Sequence, residues 1–325
     1  MASELHKPSS DLAHQPLPDA IADNWVDLYA SHSLRPWLKL GRFDRPIGIW
    51  LLYLPCAMGL SFAAAQHHQG PSALYLVLFF IGACLMRAAG CAFNDIVDRK
   101  IDQGVARTRD RPVASGRISV KSAFGFILAA CLISLTILLQ LGTLAIELGV
   151  GSLILVAAYP FMKRITWWPQ AWLGLTFNWG FLMAYATVTK DLSVPALVFY
   201  IGLIMWTLGY DTIYALQDIE DDALIGVKSS ARALKNHVSI GVRAFYYLSL
   251  ILTAAAGAMA RLGPLYFIGL ICVAAHLFWQ LSKLKPEDTG LALKLFKSNR
   301  TLGLLWVVAI CLGAFIFGSA LFSFL

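Results

Sequence analysis

Charged residues are scarce in this chain. They account for 14% of its 325 residues, whereas about a quarter of an ordinary soluble domain is charged. Hydrophobic residues make up 58% of the chain and aromatic residues 12%. This balance excludes a disordered chain, a fibrous repeat and a soluble enzyme with a single anchor helix. The composition therefore predicts a membrane protein.

Cysteines are also few, and they show no metal-binding pattern. All six lie in apolar stretches, without the close pairs that structural zinc sites use. We interpret them as packing residues, and the sequence implies no disulfide framework. They are Cys56, Cys84, Cys91, Cys131, Cys272 and Cys311.

The first 33 residues lack the apolar run of a secretory signal peptide. They also carry five acidic residues, which a typical transit peptide avoids. We therefore predict a polar cytoplasmic segment over residues 1–33 and a single transmembrane domain over 34–325. A bacterial cell inner membrane is the expected location, with the mitochondrial inner membrane as the alternative.

Apolar stretches long enough to cross a bilayer recur along the chain. They predict an all-α membrane protein with about nine transmembrane helices. The links between them are short or basic. The predicted spans are 46–65, 73–93, 120–140, 143–162, 171–189, 193–214, 241–260, 262–282 and 302–325.

Basic residues collect in alternate links between these stretches. Of the 26 Lys and Arg residues, 23 lie in the N-terminal segment or in the links after the second, fourth, sixth and eighth stretches. Lys190 and Arg261 lie on the other side, and Arg87 lies within a helix. Because positively charged loops remain in the cytoplasm, the N-terminus and the long loops are predicted there. The net charge of +7 thus reflects topology, and we expect membrane lipid rather than nucleic acid as a partner.

Acidic residues are concentrated at two places on the cytoplasmic side. Eight of the 19 Asp and Glu residues lie near the ends of the second and sixth predicted helices. Spacings of three or four residues would place the members of each cluster on one helical face. The first cluster contains Asn94, Asp98 and Asp102, and the second contains Asp211, Tyr214, Asp218 and Asp222.

Two rows of carboxylates that face a common cavity repel each other, so a cation between them is expected. Carboxylate and amide oxygens suit Mg²⁺, whose coordination is commonly completed by substrate phosphates. The clusters therefore predict a Mg²⁺ site and a diphosphate substrate. Basic side chains from the cytoplasmic loops are the candidate phosphate contacts. These are Arg107, Arg111, Lys163, Arg164 and Lys228.

Two further charged residues stand out. Asp95 lies off the face shared by the first cluster, and we interpret it as a capping or solvent residue. Arg87 lies inside the second predicted helix, where a charge is costly and usually paired or functional. We therefore expect Arg87 in the cavity. For one isolated acid, a solvated loop charge would be the ordinary interpretation, but two spaced clusters at helix ends favour a site.

The motifs around these residues resemble those of the UbiA superfamily of intramembrane aromatic prenyltransferases. The resemblance covers about residues 35–325. Its first motif runs from Leu85 through Asn94-Asp95, Asp98 and Asp102 to Arg107, Arg111 and Ser115-Gly116, and its second runs from Asp211 through Asp218 and Asp222 to Lys228. Two shorter elements are Tyr159-Pro-Phe-Met-Lys163-Arg164 and Arg42-Phe-Asp-Arg45-Pro-Ile-Gly. The residues around Met86-Arg87-Ala88 are most similar to the branch that prenylates 4-hydroxybenzoate in ubiquinone biosynthesis.

The resemblance implies a nine-helix bundle around a central cavity that opens to the membrane. It implies transfer of a polyprenyl group from polyprenyl diphosphate to the ring carbon ortho to the phenol of 4-hydroxybenzoate, with release of diphosphate. Mg²⁺ would be held by Asn94, Asp98, Asp102, Asp218 and Asp222. Lys163, Arg164, Arg111 and Lys228, with Arg107 and Tyr159, would contact the donor. Asp211 with Tyr214 would activate the phenol, and Arg45 or Arg87 would hold the carboxylate.

Two alternatives keep different chemistry open. A member of the same superfamily could prenylate a naphthoate, homogentisate, haem or chlorophyllide, because all share the aspartate clusters. A cation-coupled secondary transporter also uses intramembrane acids, but those acids are expected near the membrane midplane on broken helices. The two clusters of this chain lie instead at the cytoplasmic ends of predicted helices. A CDP-alcohol phosphotransferase is disfavoured because its compact Asp-Gly motif is not visible.

Overall fold

Nine long helices dominate the computed structural model, which describes residues 24–104, 108–217, 219 and 226–315. We number them in chain order: α1 Ile47–Ala65, α2 Ala73–Val97, α3 Val120–Leu138, α4 Thr143–Ile165, α5 Pro169–Thr189, α6 Val194–Tyr214, α7 Val238–Met259, α8 Pro264–Lys283 and α9 Thr289–Leu312. Eight of them are long and apolar enough to cross a membrane. Within the described ranges the chain contains no strand. The prediction of an all-α multi-pass membrane protein is confirmed.

Helix α5 is the long helix that falls short of that apolar criterion. It packs against α1, α4 and α6, so much of its surface meets protein rather than lipid. A buried polar side chain bonds its neighbours there: the Asn178 amide nitrogen donates to the carbonyl oxygens of Gly174 and Leu203 and to the Thr207 hydroxyl. Because it is enclosed by other helices, α5 does not need an apolar face toward lipid.

Helices α1, α5 and α6 form the interior of the bundle, and most of their residues are buried. Aromatic packing joins them. Phe181 of α5 stacks on Phe199 of α6 with ring centroids 5.0 Å apart, and Phe62 of α1 lies 5.0 Å from the same Phe199 ring. By contrast, α3 and α4 bury few residues and lie at the outside. The interior helices thus supply a fixed wall on which the site is built.

The last span was misplaced by the sequence prediction. It begins at Thr289 rather than at 302, and the Asp288 carboxylate caps it by accepting the Leu291 N–H at 2.8 Å. Charged residues in its first turns hid the start of the helix from an apolar search. One face of the same turns is nevertheless buried in the bundle, as in an amphipathic helix. The buried positions are Ala292, Leu295, Phe296, Asn299, Leu302 and Gly303.

Short helices precede α1 and follow α2 at the same end of the bundle. The segment before α1 contains helices Trp25–Tyr29 and Arg35–Leu40, and the Trp25 indole N–H donates to the Phe43 carbonyl oxygen at 2.8 Å. The segment after α2 contains helix Arg99–Gly104. These segments carry several of the charged residues of the candidate site, among them Arg45 and Asp102.

Candidate active site

A cavity of about 750 Å³ runs through the bundle. Its lining is mixed: charged residues cluster at the end where α2 and α4 finish, and apolar residues line the remainder. Eleven of the residues predicted for the site line this one cavity. They are Arg45, Arg87, Asn94, Asp98, Asp102, Arg111, Tyr159, Lys163, Asp211, Tyr214 and Lys228.

Three predicted site residues lie outside the part of the chain that the structure describes. These are Arg107, Asp218 and Asp222. Among the described ranges, no group of three or more His, Cys, Asp or Glu side chains is arranged to hold a metal ion. The second acidic row is thus represented here by Asp211 and Tyr214, and its remaining members stay predictions.

The first acidic row does not follow one uninterrupted helix. Helix α2 ends at Val97, Asp98 takes the capping position, and a new short helix begins at Arg99. Backbone hydrogen bonds still link the row, because the Asp98 N–H donates to the Asn94 carbonyl and the Asp102 N–H to the Asp98 carbonyl, each at 2.9 Å. All three side chains therefore line the same cavity.

Asp98 is buried and bonded to two cations from the end of α4. Its Oδ2 lies 2.5 Å from the Lys163 Nζ, and its Oδ1 lies 3.0 Å from an Arg164 Nη. Arg164 is not among the cavity-lining residues, so it reaches the site only through Asp98. The spacing within each segment could be seen in the sequence, but this pairing across 65 residues could not.

Asp102 has its own cation. One Arg111 Nη contacts both carboxylate oxygens of Asp102, at 3.0 and 2.9 Å. The Thr108 hydroxyl donates to the Asp102 carbonyl oxygen at 3.1 Å. The loop after α2 thus folds back onto the acids, and Arg111 is brought to the cavity by that fold.

The prediction that Asp95 is a capping or solvent residue was wrong. Its side chain is fully buried, and its Oδ1 accepts a hydrogen bond from the Arg42 guanidinium at 2.6 Å. The Arg111 guanidinium lies 3.5 Å from the same oxygen. Burial by itself lowers the pKa of the Arg42 guanidinium, but the nearby acidic groups, Asp95 foremost with Asp44 and Asp102, together hold the pKa above its usual value.

Arg42 is a cavity residue for which sequence analysis assigned no role. It occurs in the quoted Arg42-Phe-Asp-Arg45 element, which was the available signal. Arg45 from that element also lines the cavity, and its guanidinium contacts Asp44 Oδ2 at 3.1 Å. Lys297 of α9 was missed as well, because the prediction placed it in a loop.

A second group of polar residues lies deeper in the cavity. Tyr159 of α4 lines the same cavity as Asp211 and Arg87. Tyr214 of α6 lies one turn from Asp211 and packs on Phe296 with ring centroids 4.5 Å apart. Arg87 lies over the Phe177 ring at 5.3 Å, and its Nε is buried without a hydrogen-bond partner. The cavity thus holds a cation and an acid near one aromatic hydroxyl.

Lys228 lies beside the C-terminal end of α4 and adds another cation to the charged end of the cavity. Its backbone N–H donates to the Lys163 carbonyl oxygen at 3.0 Å, and its Nζ donates to the Ile165 carbonyl oxygen at 3.0 Å. The Lys228 ammonium also lies 5.9 Å from the Trp167 ring. A cation at the C-terminal end of a helix is favourable, since unpaired carbonyl groups collect there.

The remainder of the cavity is apolar and open at one side. Lining residues of α3 and α4 have large exposed fractions, among them Leu132 at 54% and Val150 at 54%. In a membrane these residues would face acyl chains. The cavity therefore joins an ion-rich end to an apolar groove that reaches the lipid-facing surface.

The fold and the cavity define a multi-pass membrane protein with an intramembrane site suited to a molecule that is anionic at one end and apolar at the other. The chain belongs to the UbiA prenyltransferase family, whose model matches residues 52–305. It is thus a prenyltransferase. This family membership agrees with the motifs that the sequence contains.

Individual relatives are similar over most of the chain. The mitochondrial 4-hydroxybenzoate polyprenyltransferase of Bos taurus is 45% identical over 289 residues, which are 87% of this chain and 76% of that protein. The 4-hydroxybenzoate octaprenyltransferase of Pseudomonas fluorescens is 40% identical over 278 residues, or 85% and 93% of the two chains. A UbiA homolog from Archaeoglobus fulgidus, solved bound to GPP and Mg²⁺, shares the fold with a TM-score of 0.66 at 19% identity, over 85% of this chain and 99% of that chain.

Proposed function

We propose that this chain transfers a polyprenyl group from polyprenyl diphosphate to position 3 of 4-hydroxybenzoate, the ring carbon ortho to the phenol, in ubiquinone biosynthesis. The observation that carries the proposal is the cavity itself, in which a cluster of acids and cations opens into a long apolar groove. Relatives at 40 and 45% identity bear names with this acceptor. Diphosphate is the leaving group.

The residues at the charged end fit a divalent cation by their chemistry. Asn94, Asp98 and Asp102 present amide and carboxylate oxygens to one cavity, and such oxygens are the ligands that Mg²⁺ prefers. A carboxylate has about four lone-pair sites, so Asp98 can bind a metal while keeping a cation partner. We propose Mg²⁺ as the ion, with Asp218 and Asp222 as ligands from the opposite side. An Archaeoglobus fulgidus protein of the same fold was solved with Mg²⁺ and GPP.

The cations around the acids would bind the diphosphate. Lys163 and Arg111 line the cavity beside Asp98 and Asp102, so their N–H groups can reach phosphate oxygens while remaining near the acids. Arg164, Lys228 and Arg107 would add positive charge. Charge grows on the leaving diphosphate as the allylic C–O bond breaks, so these contacts strengthen in the transition state. A bound Mg²⁺ ion would add Lewis-acid stabilisation of the same charge.

The acceptor is proposed to bind between Asp211 and Arg87. Asp211 would hold or take the phenol proton, with Tyr214 and Tyr159 nearby, so that the ring becomes electron-rich at the ortho carbon. The allylic carbon would bond to that carbon as its bond to diphosphate breaks, and a base would then remove the ring proton. Arg87 is favoured over Arg45 for the carboxylate, because Arg45 already contacts Asp44 and no ion pair joins Arg87 to an acid within the described ranges. The apolar groove would hold the isoprenoid tail and shield the allylic cation from water.

The location and the domain division are proposals as well. We propose a bacterial cell inner membrane, and the charge distribution supports an orientation with the N-terminus and the active site in the cytoplasm. A mitochondrial inner membrane is the alternative, and several relatives are named as mitochondrial. Residues 1–33 would form the polar segment and 34–325 the transmembrane prenyltransferase domain.

The testing experiment measures 3-polyprenyl-4-hydroxybenzoate formed by purified membranes. They are given Mg²⁺, a polyprenyl diphosphate and 4-hydroxybenzoate. We expect product in the wild type, loss of product with EDTA, and recovery when excess Mg²⁺ is restored.

The Asp98→Ala variant should insert and fold but lose at least about 10²-fold in turnover, since it loses an electrostatic contact made in the transition state. Full activity in this variant would refute the metal assignment. Product with another aromatic acceptor and none with 4-hydroxybenzoate would refute the acceptor assignment.

A further inference from the structure

The Arg87 guanidinium lies in an unusual setting for a cation inside a membrane span. It is half-buried in α2, and no ion pair joins it to an acid in the part of the chain that is described. Its Nε is buried and lacks a hydrogen-bond partner. A buried donor without a partner is costly. A cation retained at this cost within a membrane span is usually functional, and this indicates that the guanidinium binds a ligand.

Two residues from other helices contact the same guanidinium. Phe177 of α5 presents its ring at 5.3 Å from the Arg87 Cζ. Gly48 of α1 is so close that an added Cβ would lie 2.7 Å from Nε, 2.8 Å from Nη2 and 3.0 Å from Cζ. The edge that carries Nε and Nη2 is therefore turned toward Gly48, and only a residue without a side chain leaves that edge uncrowded.

The position of Arg87 separates it from the diphosphate end. Asp98 follows Arg87 by eleven residues, which corresponds to about 16 Å along a helix. With about three helical turns between these two backbone positions, the Arg87 guanidinium is poorly placed for a phosphate held beside Asp98 and Asp102. It is better placed for the opposite end of a small acceptor whose phenol lies near Asp211. Guanidinium and carboxylate groups match in geometry and can form paired hydrogen bonds.

We propose that Gly48 and Phe177 are positioning residues that hold the Arg87 guanidinium for an acceptor carboxylate and so select carboxylated phenols. Phe177 supports the guanidinium through its ring face. Gly48 keeps space beside the Nε and Nη2 edge. The inference rests on the proposed function, in which Arg87 contacts the acceptor. It adds that the preference for a carboxylate depends on α1 and α5 as well as on Arg87.

A double-mutant cycle on the full-length protein in detergent tests the inference. The variants are Arg87→Met, Gly48→Ala and the two combined. The readouts are the Kd for radiolabelled 4-hydroxybenzoate, the KM for 4-hydroxybenzoate and the KM for the prenyl donor. We expect Arg87→Met to raise the acceptor Kd at least about tenfold, since hydrogen bonds to charged groups are strong.

Gly48→Ala should raise the acceptor Kd about tenfold and leave the donor KM within about twofold, because its effect acts through Arg87. In the Arg87→Met background the same change should add almost nothing. The methyl ester of 4-hydroxybenzoate has no carboxylate, so its binding should be nearly equal in all variants. Phe177→Leu should weaken binding of 4-hydroxybenzoate but not of the ester. This variant provides the alternative test if Gly48→Ala does not fold.

Gly202→Ala is the matched control for crowding. An added Cβ there would lie 2.8 Å from the Thr253 Cγ2, at a helix contact whose residues do not line the cavity. It should lower thermal stability without changing the acceptor Kd. A similar rise in acceptor Kd for Gly202→Ala and Gly48→Ala would overturn the inference, because crowding alone would then explain both.

The outcomes separate the inference from the proposed function. An unchanged acceptor Kd in Arg87→Met would remove Arg87 from the carboxylate role and would overturn the inference with it. A large rise in Arg87→Met with wild-type binding in both Gly48→Ala and Phe177→Leu would overturn the inference alone. Equal losses for the acid and for its methyl ester would also overturn it.

Discussion

Asp211 is the residue on which the proposed acceptor chemistry depends most. It lines the cavity one turn before Tyr214, and Tyr159 lines the same cavity. Asp211→Asn keeps the shape of the side chain and removes the negative charge. We expect donor binding to stay within about twofold and ring substitution to slow by about 10²- to 10⁴-fold, the range of general acid–base catalysis.

Single-turnover product formation, measured together with the donor Kd, checks this expectation. Asp191→Asn is the control, because Asp191 is exposed in the short link between α5 and α6. Wild-type turnover in Asp211→Asn would remove Asp211 from the chemistry. Loss of donor binding would instead assign Asp211 to the diphosphate end.

The same residue scale shows what spacing can predict. Asn94, Asp98 and Asp102 were placed on one face from their interval of four, and all three line the cavity even though the helix is interrupted at Asp98. Asp95 was misjudged because its neighbour lies 53 residues away in the segment before α1. An interval along one helix is a local property, whereas the partner of a buried acid depends on which segment packs against it.

At the scale of elements, Asp95 joins three segments. It lies on α2, bonds Arg42 from the segment before α1 and approaches Arg111 from the loop after α2. Asp95→Ala would leave the Arg42 guanidinium buried without its carboxylate. Removing one partner of a buried ion pair usually costs about 3–5 kcal/mol, so we expect the free energy of unfolding to fall by about that amount.

Denaturant unfolding of the detergent-purified protein measures this change. Asp110→Ala is the matched control, because Asp110 pairs with Arg117 at 3.7 Å and both side chains are largely exposed. Exposed pairs contribute about 0–1 kcal/mol, so little change is expected there. Equal effects of the two substitutions would show that Asp95 does not hold the segments together.

The hydropathy of the sequence predicted the positions of some helices more accurately than those of others. Helix α9 begins thirteen residues before its predicted start, since the search required apolar residues on every face. Helix α5 was correctly predicted from sequence although it does not meet the apolar criterion that the other eight long helices meet. Both cases have one cause: a helix buried against protein needs only the contacts that its neighbours supply, while a helix that faces lipid must be apolar there.

At the scale of the whole molecule, the basic loops predict one orientation in the membrane. Gln69 is exposed in the link after α1, on the side poor in basic residues, and Asn236 is exposed between α6 and α7, on the basic side. In a bacterial host and a cysteine-free background, a membrane-impermeant maleimide should label Gln69→Cys in intact cells. Asn236→Cys should be labelled only after the membrane is opened.

The two positions act as controls for each other, because both side chains are exposed. Labelling of Asn236→Cys alone in intact cells would reverse the orientation and place the charged end of the cavity outside. Labelling of both would contradict a single topology. The measurement does not depend on catalytic activity, so it tests the location proposal independently.

Sequence by itself gave the membrane class, the number of long helices and most of the charged residues that line the cavity, and it predicts the orientation in the membrane. These properties are carried by local hydropathy, loop charge and short intervals, which add along the chain without reference to distant residues. Tertiary structure alone decided that Asp98 pairs with Lys163 and Arg164. It also decided that Gly48 and Phe177 meet at the Arg87 guanidinium. Such contacts join segments far apart in the chain, and they exist only because packing of the helices brings those segments together.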